Sequence, residues 1–439
     1  MSAARRPGAS QAQGHDIRAG FGKMAGTMMG KTASAGVAAS VAILATAYAG
    51  SAAAQGLPAE NVTEIAASLD VRHDSNVARS DADRAQARGL TRADQRATPS
   101  LDITYSRPLG RNRVTILGSA GYDFYRRNTR LNRERLSLGG NGTALVGPLT
   151  FDLGAQFARR QTDPADLTPL LIPGTESIRN TQTTQDYNAK VRLGSQPYGI
   201  KPVATFGRAI GNNSNERRRF ANYRSTTYGG GVSYESPTIG YWDLQYLRSN
   251  TDYPNRPQTV AQTGFTTERV SLSGRRDLGA ILVANGSISW ITLKPDAGTA
   301  GAGRFRSVGY SLGLSAVPTP DIRVAGNFSR DVSPSLGTDA LYQVNNTYSV
   351  SGSYALSSDI SFSLSGLIDD RHYAGAGQVF AVALTDSVQR SVTASVDLAQ
   401  TRPLRVGVDV GYQKRDANGT FFDYDSFYAG IRTSFRLRR

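Results

Sequence analysis

The sequence predicts an all-β protein, a transmembrane antiparallel up-and-down β-barrel of about 18 strands. From residue 63 onwards, apolar and polar residues alternate with a period of two, the pattern of strands with one apolar and one polar face. The connections between these segments alternate between short turns and long polar loops. Beyond the N-terminal region no apolar stretch is long enough for a membrane helix, so a membrane protein with this pattern must be a closed barrel.

The composition narrows the chemistry that the chain can perform. Its 439 residues include 46 glycines and 20 tyrosines, which favours strands and turns over helices. The absence of cysteine excludes disulfides, thiol nucleophiles and thiolate zinc sites. Three histidines leave little scope for metal or acid–base chemistry, and no cofactor is expected. The formal net charge is +15, from 50 basic and 35 acidic residues, so the chain is basic.

The first 54 residues are predicted to be a signal peptide with an N-terminal extension whose start codon is misassigned. Small and apolar residues fill 32–54, and the richest part, 35–49, has the length of a secretory h-region. The small-residue run ending at Ala54 predicts cleavage after that residue. The predicted barrel domain is therefore 55–439, and the first 54 residues are excluded from fold reasoning.

Each predicted strand has two distinct faces. In the last segment, Phe427, Ile431 and Phe435 alternate with polar residues that include Arg432 and Arg436. A helix would scatter these apolar residues around its circumference. The predicted strands lie near 63–73, 99–107, 113–126, 134–146, 149–160, 183–195, 200–209, 224–235, 241–250, 266–275, 280–293, 305–317, 321–331, 344–357, 359–371, 387–400, 402–415 and 425–437.

The connections predict how the barrel is oriented. Short turns such as 147–148 and 318–320 alternate with long loops rich in Asn, Asp, Arg, Thr and Gly. Short turns on one side and long loops on the other are typical of an outer-membrane barrel with periplasmic turns and extracellular loops. An even number of strands places both termini in the periplasm, and the predicted localisation is the bacterial outer membrane. The long loops lie near 74–98, 127–133, 162–182, 210–223, 251–265, 294–304, 332–343, 372–386 and 416–424.

A band of cations is predicted on the lipid-facing side at the loop ends of the strands. In six of the seven strands concerned an aromatic residue lies two positions earlier, as Phe124 does before Arg126 and Tyr246 before Arg248. Aromatic rings favour the boundary between acyl chains and headgroups, and cations beyond them can reach lipid phosphates. Outer-membrane lipid, including lipopolysaccharide, is therefore an expected partner. The alternative is that these side chains only extend along the surface to water. The predicted collar is Arg126, Arg159, Arg208, Arg248, Lys294, Arg330 and Lys414.

The opposite face of the strands is predicted to line a water-filled lumen. Many charged residues keep this parity, and their burial in a dry interior would be prohibitive. The basic excess favours anionic solutes or polymers. Alternatively, the charges pair across neighbouring strands and set no selectivity. The predicted lumen-lining residues are Arg192, Arg269, Arg275, Arg323, Arg405, Arg432, Arg436, Asp152, Asp243 and Asp409, with Asp102, Asp123 and Asp397 as further acidic members.

No part of the sequence indicates an enzyme. The run from His73 to Asn76 combines imidazole, carboxylate, hydroxyl and amide groups, but adjacency in sequence does not supply the geometry of a catalytic triad. A turn built on Asp74 and Asn76 is the preferred interpretation. His372 is interpreted as a loop residue. The scattered basic residues of an exported chain do not indicate nucleic-acid binding.

The segment 71–77, followed by many paired strands, resembles the putative β-barrel porin type-two family of Gram-negative bacteria. Members have a Tyr-Asp-x-Asn-like element at the end of the first strand, which Asp74 and Asn76 match while His73 replaces the aromatic residue. The resemblance covers roughly residues 60–439. It implies export of exopolysaccharide or capsular polysaccharide, with the polymer and periplasmic export components as expected partners. The barrel assembly machinery is a further expected partner, with Phe435 as the aromatic residue that it would read.

The leading functional prediction is therefore an outer-membrane channel for polysaccharide export. One alternative is a general diffusion porin for hydrophilic solutes. Another is a structural or adhesive barrel whose lumen is blocked by an inward-folded loop, for which 74–98 is the predicted segment. An outer-membrane hydrolase would need a convergent Ser/His or carboxylate cluster, which the sequence does not offer.

Overall fold

A computed structural model describes residues 61–110, 112–164, 179–194, 196–256, 263–279, 281–296, 304–338, 340–375, 384–418 and 422–438. The predicted signal peptide and its cleavage point lie outside the described residues. No helix among the described residues is long and apolar enough to cross a membrane.

The described chain forms one closed antiparallel sheet, and the predicted 18-stranded up-and-down barrel is confirmed. Consecutive strands pair with each other around the ring. The strands are β1 Val62–Asp74, β2 Asp94–Leu109, β3 Asn112–Tyr125, β4 Arg133–Val146, β5 Leu149–Gln161, β6 Thr181–Leu193, β7 Gly199–Asn213, β8 Tyr223–Ser236, β9 Gly240–Asp252, β10 Gly264–Leu278, β11 Leu282–Pro295, β12 Phe305–Thr319, β13 Ile322–Pro334, β14 Tyr342–Ala355, β15 Ser361–Ala374, β16 Asp386–Leu398, β17 Leu404–Ala417 and β18 Tyr424–Arg438.

The first and last strands close the ring. The β1–β18 ladder runs from Glu64 opposite Arg438 to Asp74 opposite Tyr428, as long as the ladders within the sheet. Among the described strands, β1 and β18 therefore do not form free outer edges of the sheet. That closure is the condition for a sheet to cross a hydrocarbon layer.

The two rims of the barrel differ as the sequence predicts. One rim carries tight turns, where Gly147 and Gly279 adopt φ values of +57° and +74°, in the left-handed region. The other rim carries the longer connections and every helical segment of the described residues. These are α1 Ala82–Ala87 and the 3₁₀ helices Thr129–Leu131 and Glu216–Ala221.

Several strands extend further beyond the loop-side rim than the alternation predicts. β2 begins at Asp94 rather than 99, and β7 continues to Asn213 rather than 209. These extensions carry polar residues on both faces, so hydrophobic alternation does not mark them. Helix α1 falls inside the predicted 74–98 loop, and the Asp81 carboxylate caps it by accepting a hydrogen bond of 2.8 Å from the Arg84 N–H.

Two glycines of β8 lie where the neighbouring backbone comes unusually close. A Cβ atom at Gly229 would collide with the carbonyl oxygen of Tyr246, and one at Gly231 with that of Leu244. Gly139 in β4 is different, because the nearest atom to its Cβ position is 4.0 Å away. Gly229 and Gly231 thus allow the backbones of β8 and β9 to pack closely. Gly139 does not have this role, because there is space for a side chain at its position.

We expect Gly231→Ala to destabilise the folded barrel by about 1–3 kcal/mol, because the added methyl group must displace backbone of β9. The free energy of unfolding in urea, measured with protein inserted in lipid vesicles, tests this. Gly139→Ala is the matched control and should leave the unfolding midpoint nearly unchanged. Equal effects of the two substitutions would contradict the close packing.

Candidate channel lumen

Contacts between non-adjacent strands identify the concave face of the sheet. Thr205 on β7 donates a hydrogen bond of 2.8 Å to Gln245 on β9, and Lys190 on β6 forms an ion pair with Asp243 on β9. These contacts pass over one or two intervening strands. Side chains can converge in this way only inside a closed barrel, so residues of this parity form the inner face.

The outer face is apolar and exposed over the middle of every strand. Leu101, Leu244, Val350 and Leu364 have exposed fractions of 45%, 47%, 52% and 58%, although their inner-face neighbours are polar. A continuous apolar band around a protein requires a hydrocarbon environment. A closed antiparallel barrel with such a band is the structure of a bacterial outer-membrane protein.

The ten predicted lumen-lining residues all lie at inner-face positions. Arg192 contacts Asp152 at 2.7 Å, and Asp409 on β17 contacts Arg72 on β1 at 2.8 Å. Arg269 pairs with Asp331 across β11 and β12. The others are Arg275, Arg323, Arg405, Arg432, Arg436 and Asp243; Arg436 contacts Glu64 at 2.8 Å and Arg432 lies 3.8 Å from Asp397.

The inner charges are largely paired. Arg72, Arg192 and Arg275 each retain one guanidinium N–H group with no hydrogen-bond partner among the residues that the structure describes, and these N–H groups are buried. Arg72 is only 8% exposed, so this group is costly to leave without a partner. The side chain of Arg135 is 40% exposed, so its guanidinium group can meet a solute in the lumen. The wall is therefore a ladder of ion pairs that also presents an accessible arginine.

Sequence reasoning did not identify the hydroxyl-rich part of the wall. The inner faces of β11, β12 and β14, which are described throughout, carry no charged residue. Serine dominates there, and neighbouring hydroxyls pair, as between Ser287 and Ser311 at 2.7 Å. The signal in the sequence is serine at every second position, for example at Ser349, Ser351 and Ser353. The lumen wall is thus charged over most of the ring and rich in hydroxyl groups on these three strands, with Arg323 and Asp331 of β13 between them.

The loop-side end of the β13–β14 hairpin leaves the wall and folds inward. The β12–β13 ladder stops at Tyr310 opposite Arg330, although β13 continues to Pro334. Beyond that point Val332 and Val344 keep outer-face parity but are only 8% and 4% exposed. A bend that carries the hairpin over the mouth explains how outward-facing positions become buried.

The bent hairpin packs on inner-face residues of the neighbouring strands. The ring of Tyr342 packs against that of Phe305 in a tilted arrangement, with the centroids 5.3 Å apart, and edge-on against that of Phe265, with the centroids 6.3 Å apart. Ile291 and Leu293 of β11 have no exposed surface and belong to the same cluster. An apolar cluster therefore fills one side of the mouth, where strand alternation alone would place water.

The tip of this hairpin, described at residues 335–338 and 340–341, continues across the mouth. The Tyr253 hydroxyl donates to the Leu341 carbonyl at 2.5 Å and accepts from the Ser335 N–H at 3.0 Å. Arg256 donates to the Ala340 carbonyl at 3.1 Å. A further hydrogen bond of 3.3 Å joins the Asn213 amide at the end of β7 to Leu336. The segment therefore spans from β13 to β7 and narrows the opening.

Tyr253 remains a hydrogen-bond donor under all physiological conditions. Its side chain is 1% exposed, and this burial raises the pKa of the Tyr253 hydroxyl to about 12. The neutral form therefore persists well above neutral pH, and the bond to Leu341 does not depend on pH in the physiological range.

The predicted blocking loop also folds over the mouth, on the opposite side. Val77, Ala85 and Leu90 form a small apolar core with Leu131 from the loop after β3. Arg88 donates to the Pro164 carbonyl at 3.3 Å, which ties the segment to the loop after β5. Two inward-folded segments thus lie at the mouth, and sequence reasoning identified only one of them.

The run from His73 to Asn76 forms a structural turn. The Asp74 carboxylate accepts a hydrogen bond of 2.8 Å from the Asn76 N–H, the geometry of an Asx turn. The fully buried Asn76 amide donates to the carbonyls of Ser80 and Asp425, each at 3.0 Å. These bonds fasten the β1–β18 seam at its loop end. The predicted turn is thus present.

The two histidines of the barrel do not assemble a chemical site. The side chain of His73 has outer-face parity, whereas Asp74 faces inward. His372 pairs with Asp386 at 2.6 Å on an exposed surface. No group of three or more possible metal ligands occurs among the described residues.

The predicted collar residues all have outer-face parity near the loop-side rim. Several contact polar neighbours on that face: Arg159 lies 2.9 Å from Glu134 and Lys414 lies 2.9 Å from Asp416. Arg330 donates to Asn346 at 3.0 Å. The other members are Arg126, Arg208, Arg248 and Lys294.

Comparison with known proteins gives only distant structural similarity. No protein-family model and no curated protein matches the chain, so the predicted resemblance to the type-two porin family stays a prediction. OccAB3 of Acinetobacter baumannii superposes with a TM-score of 0.43 at 10% identity, over 87% of this chain and 100% of that one. OccK2 (OpdF) of Pseudomonas aeruginosa gives 0.43 at 12% identity, over 86% and 98%. A BenF-like porin from Pseudomonas fluorescens Pf-5 gives 0.43 at 12% identity, over 86% and 99%.

We expect Tyr253→Phe to increase single-channel conductance in planar bilayers. The substitution removes the hydroxyl that binds Leu341 and Ser335, and a buried carbonyl without its donor costs about 1–3 kcal/mol. The tip of the β13–β14 hairpin should then leave the mouth more often. Tyr198→Phe is the matched control, because Tyr198 is 54% exposed on the short-turn rim. Unchanged conductance of Tyr253→Phe would show that the segment does not limit flow.

Proposed function

We propose that this outer-membrane barrel is a passive channel for small hydrophilic solutes, with a preference for anions. The observation that carries the proposal is the polar inner face of a closed 18-stranded ring, with its ion pairs and its paired hydroxyl groups. A barrel with this number of strands is wide enough to enclose an aqueous channel. The proposed activity is diffusion of solutes through the lumen, for which the wall needs no catalytic groups.

The inner charges favour an aqueous lumen over a dry one. Arg72, Asp409, Arg192 and Asp152 lie on the inner wall, where a packed apolar interior would impose a large desolvation cost on each ion. Water in the lumen removes most of that cost. The same argument makes a purely structural barrel with a fully packed interior the less favoured interpretation.

An accessible arginine of the inner wall supports the preference for anions. A carboxylate or phosphate passing along the lumen can accept hydrogen bonds from Arg135, whose side chain is 40% exposed. Hydroxyl groups of the same solute can exchange hydrogen bonds with the serines of β11, β12 and β14. A small, anionic and hydroxylated molecule therefore matches both parts of the wall.

The mouth favours small solutes over a continuous polymer. Exopolysaccharide export was predicted from the family resemblance, and it requires a passage that a long chain can thread. The tip of the β13–β14 hairpin, held at Tyr253 and Asn213, crosses the opening instead. Diffusion of small solutes, the alternative from the sequence, is therefore the function that we propose.

Selectivity measurements test the proposal directly. In a KCl gradient across a planar bilayer, we expect a zero-current potential with the sign of chloride preference. Arg135, Arg275 and Arg432 lie on the inner wall, 3.5–3.8 Å from carboxylate oxygens of Asp123, Asp277 and Asp397. Replacing all three by Gln should lower the chloride-to-potassium permeability ratio by about twofold or more at 0.1 M salt, and by less at 1 M, where screening is stronger.

The matched control removes the same number of charges from the outer face. Arg126, Arg208 and Arg224 are exposed there, and R126Q/R208Q/R224Q should keep the wild-type permeability ratio. Equal ratios for the inner triple variant and the wild type would contradict anion preference. An inserted, folded protein without conductance would contradict the open channel.

Solute size distinguishes the channel from an exporter. Vesicles containing the protein should swell readily in a small sugar acid and should not swell in a high-molecular-weight polysaccharide, because the inward-folded segments narrow the mouth. Swelling at comparable rates in both would contradict the proposal and support polymer passage.

A further inference from the structure

A row of charged side chains crosses the outer face of β9, β10, β11 and β12 near the loop-side rim. Strand pairing places Arg248 opposite Glu268, Glu268 opposite Thr292, and Thr292 opposite Arg306. All four residues therefore lie in one line perpendicular to the strands. Since neighbouring strands are ~4.8 Å apart, the line is roughly 15 Å long.

Lys294 adds a third cation to this row. Its Nζ atom lies 2.8 Å and 2.9 Å from the two carboxylate oxygens of Glu268 on the adjacent strand. Arg248 and Arg306 are exposed on either side. One carboxylate thus lies among three cations, and the row keeps a net positive charge. We refer to Arg248, Glu268, Lys294 and Arg306 as the rim row.

An apolar row lies directly beneath the rim row. Two residues further along the same strands, Tyr246, Val270, Trp290 and Val308 form the next line with outer-face parity. Their exposed fractions are 47%, 47%, 53% and 41%. The change from apolar to charged therefore occurs within one step of the sheet, roughly 7 Å. A tyrosine and a tryptophan at this step mark the boundary between acyl chains and headgroups.

We infer that the rim row binds the phosphate groups of lipopolysaccharide in the outer leaflet. At the level just beyond the acyl chains, the groups available to exposed cations are lipid phosphates. The row offers two guanidinium groups, suited to bidentate contact with phosphate, and one ammonium group between them. The carboxylate of Glu268 holds the ammonium group in place on the surface.

The arrangement differs from cations that only extend along the surface to reach water. Such cations need no defined neighbours. Here Lys294 is fixed by both oxygens of one carboxylate, and the register places the arginines at the same height on either side. A pre-arranged row loses less side-chain freedom when a phosphorylated lipid binds.

Binding of purified lipid A to the detergent-solubilised full chain tests the inference. The triple variant R248Q/K294Q/R306Q should bind bisphosphorylated lipid A at least about tenfold more weakly than the wild type. Dephosphorylated lipid A should bind the wild type as weakly as it binds the triple variant. E268Q should bind bisphosphorylated lipid A at least as tightly as the wild type, because the row then gains positive charge while the Gln carbonyl oxygen can still accept a hydrogen bond from Lys294.

The matched control R127Q/R217Q/R219Q removes three exposed arginines from the loops and should bind lipid A like the wild type. Heat-modifiable migration in gels establishes that each variant is folded, so the outcome does not depend on the channel proposal. Undiminished binding by the triple variant would overturn the inference, as would equal loss in E268Q. Competition by inorganic phosphate at equal concentration would also overturn it, since the row would then be a site for free anions.

Discussion

Pairing of every backbone N–H and C=O group with a neighbouring strand is the interaction on which the rest of the structure depends. In hydrocarbon an unpaired backbone group has no water to bind, so a sheet can cross a membrane only when its first and last strands meet. The β1–β18 ladder pairs these two strands. At the loop-side end of the ladder, the Asx turn at Asp74 and the buried Asn76 amide stabilise the pairing. The run from His73 to Asn76 thus stabilises the closed ring and does not form a catalytic site.

Closure also decides the environment of each side chain. Alternate residues converge inward or diverge outward, so ionic partners from strands that are distant along the ring meet inside, as Arg269 of β10 and Asp331 of β13 do. The charged and serine-rich parts of the wall follow from which strands carry arginine and which carry serine. On the outside, the same alternation aligns residues of four strands into the rim row and the apolar row beneath it.

The mouth is where the structure departs from simple alternation. Once β13 separates from β12 beyond Arg330, the hairpin is no longer held in the wall and can bury its apolar residues on Ile291 and Leu293. The hydroxyl of Tyr253 and the amide of Asn213 then satisfy backbone carbonyls of the segment that follows. A narrowed entrance therefore arises from the same requirement that closes the ring, the satisfaction of buried polar groups.

The amino-acid sequence by itself determined the 18 strands, their faces and the two rims, because a period of two along each strand is a local property that neighbouring residues encode. It also predicted the parity of each lumen and collar residue. Only the tertiary structure decided which inner charges meet, that the serines of β11, β12 and β14 line one part of the wall, and that the tip of the β13–β14 hairpin crosses the mouth. These contacts join residues far apart in the chain, and they depend on strand register and on where a ladder stops, which no local pattern records.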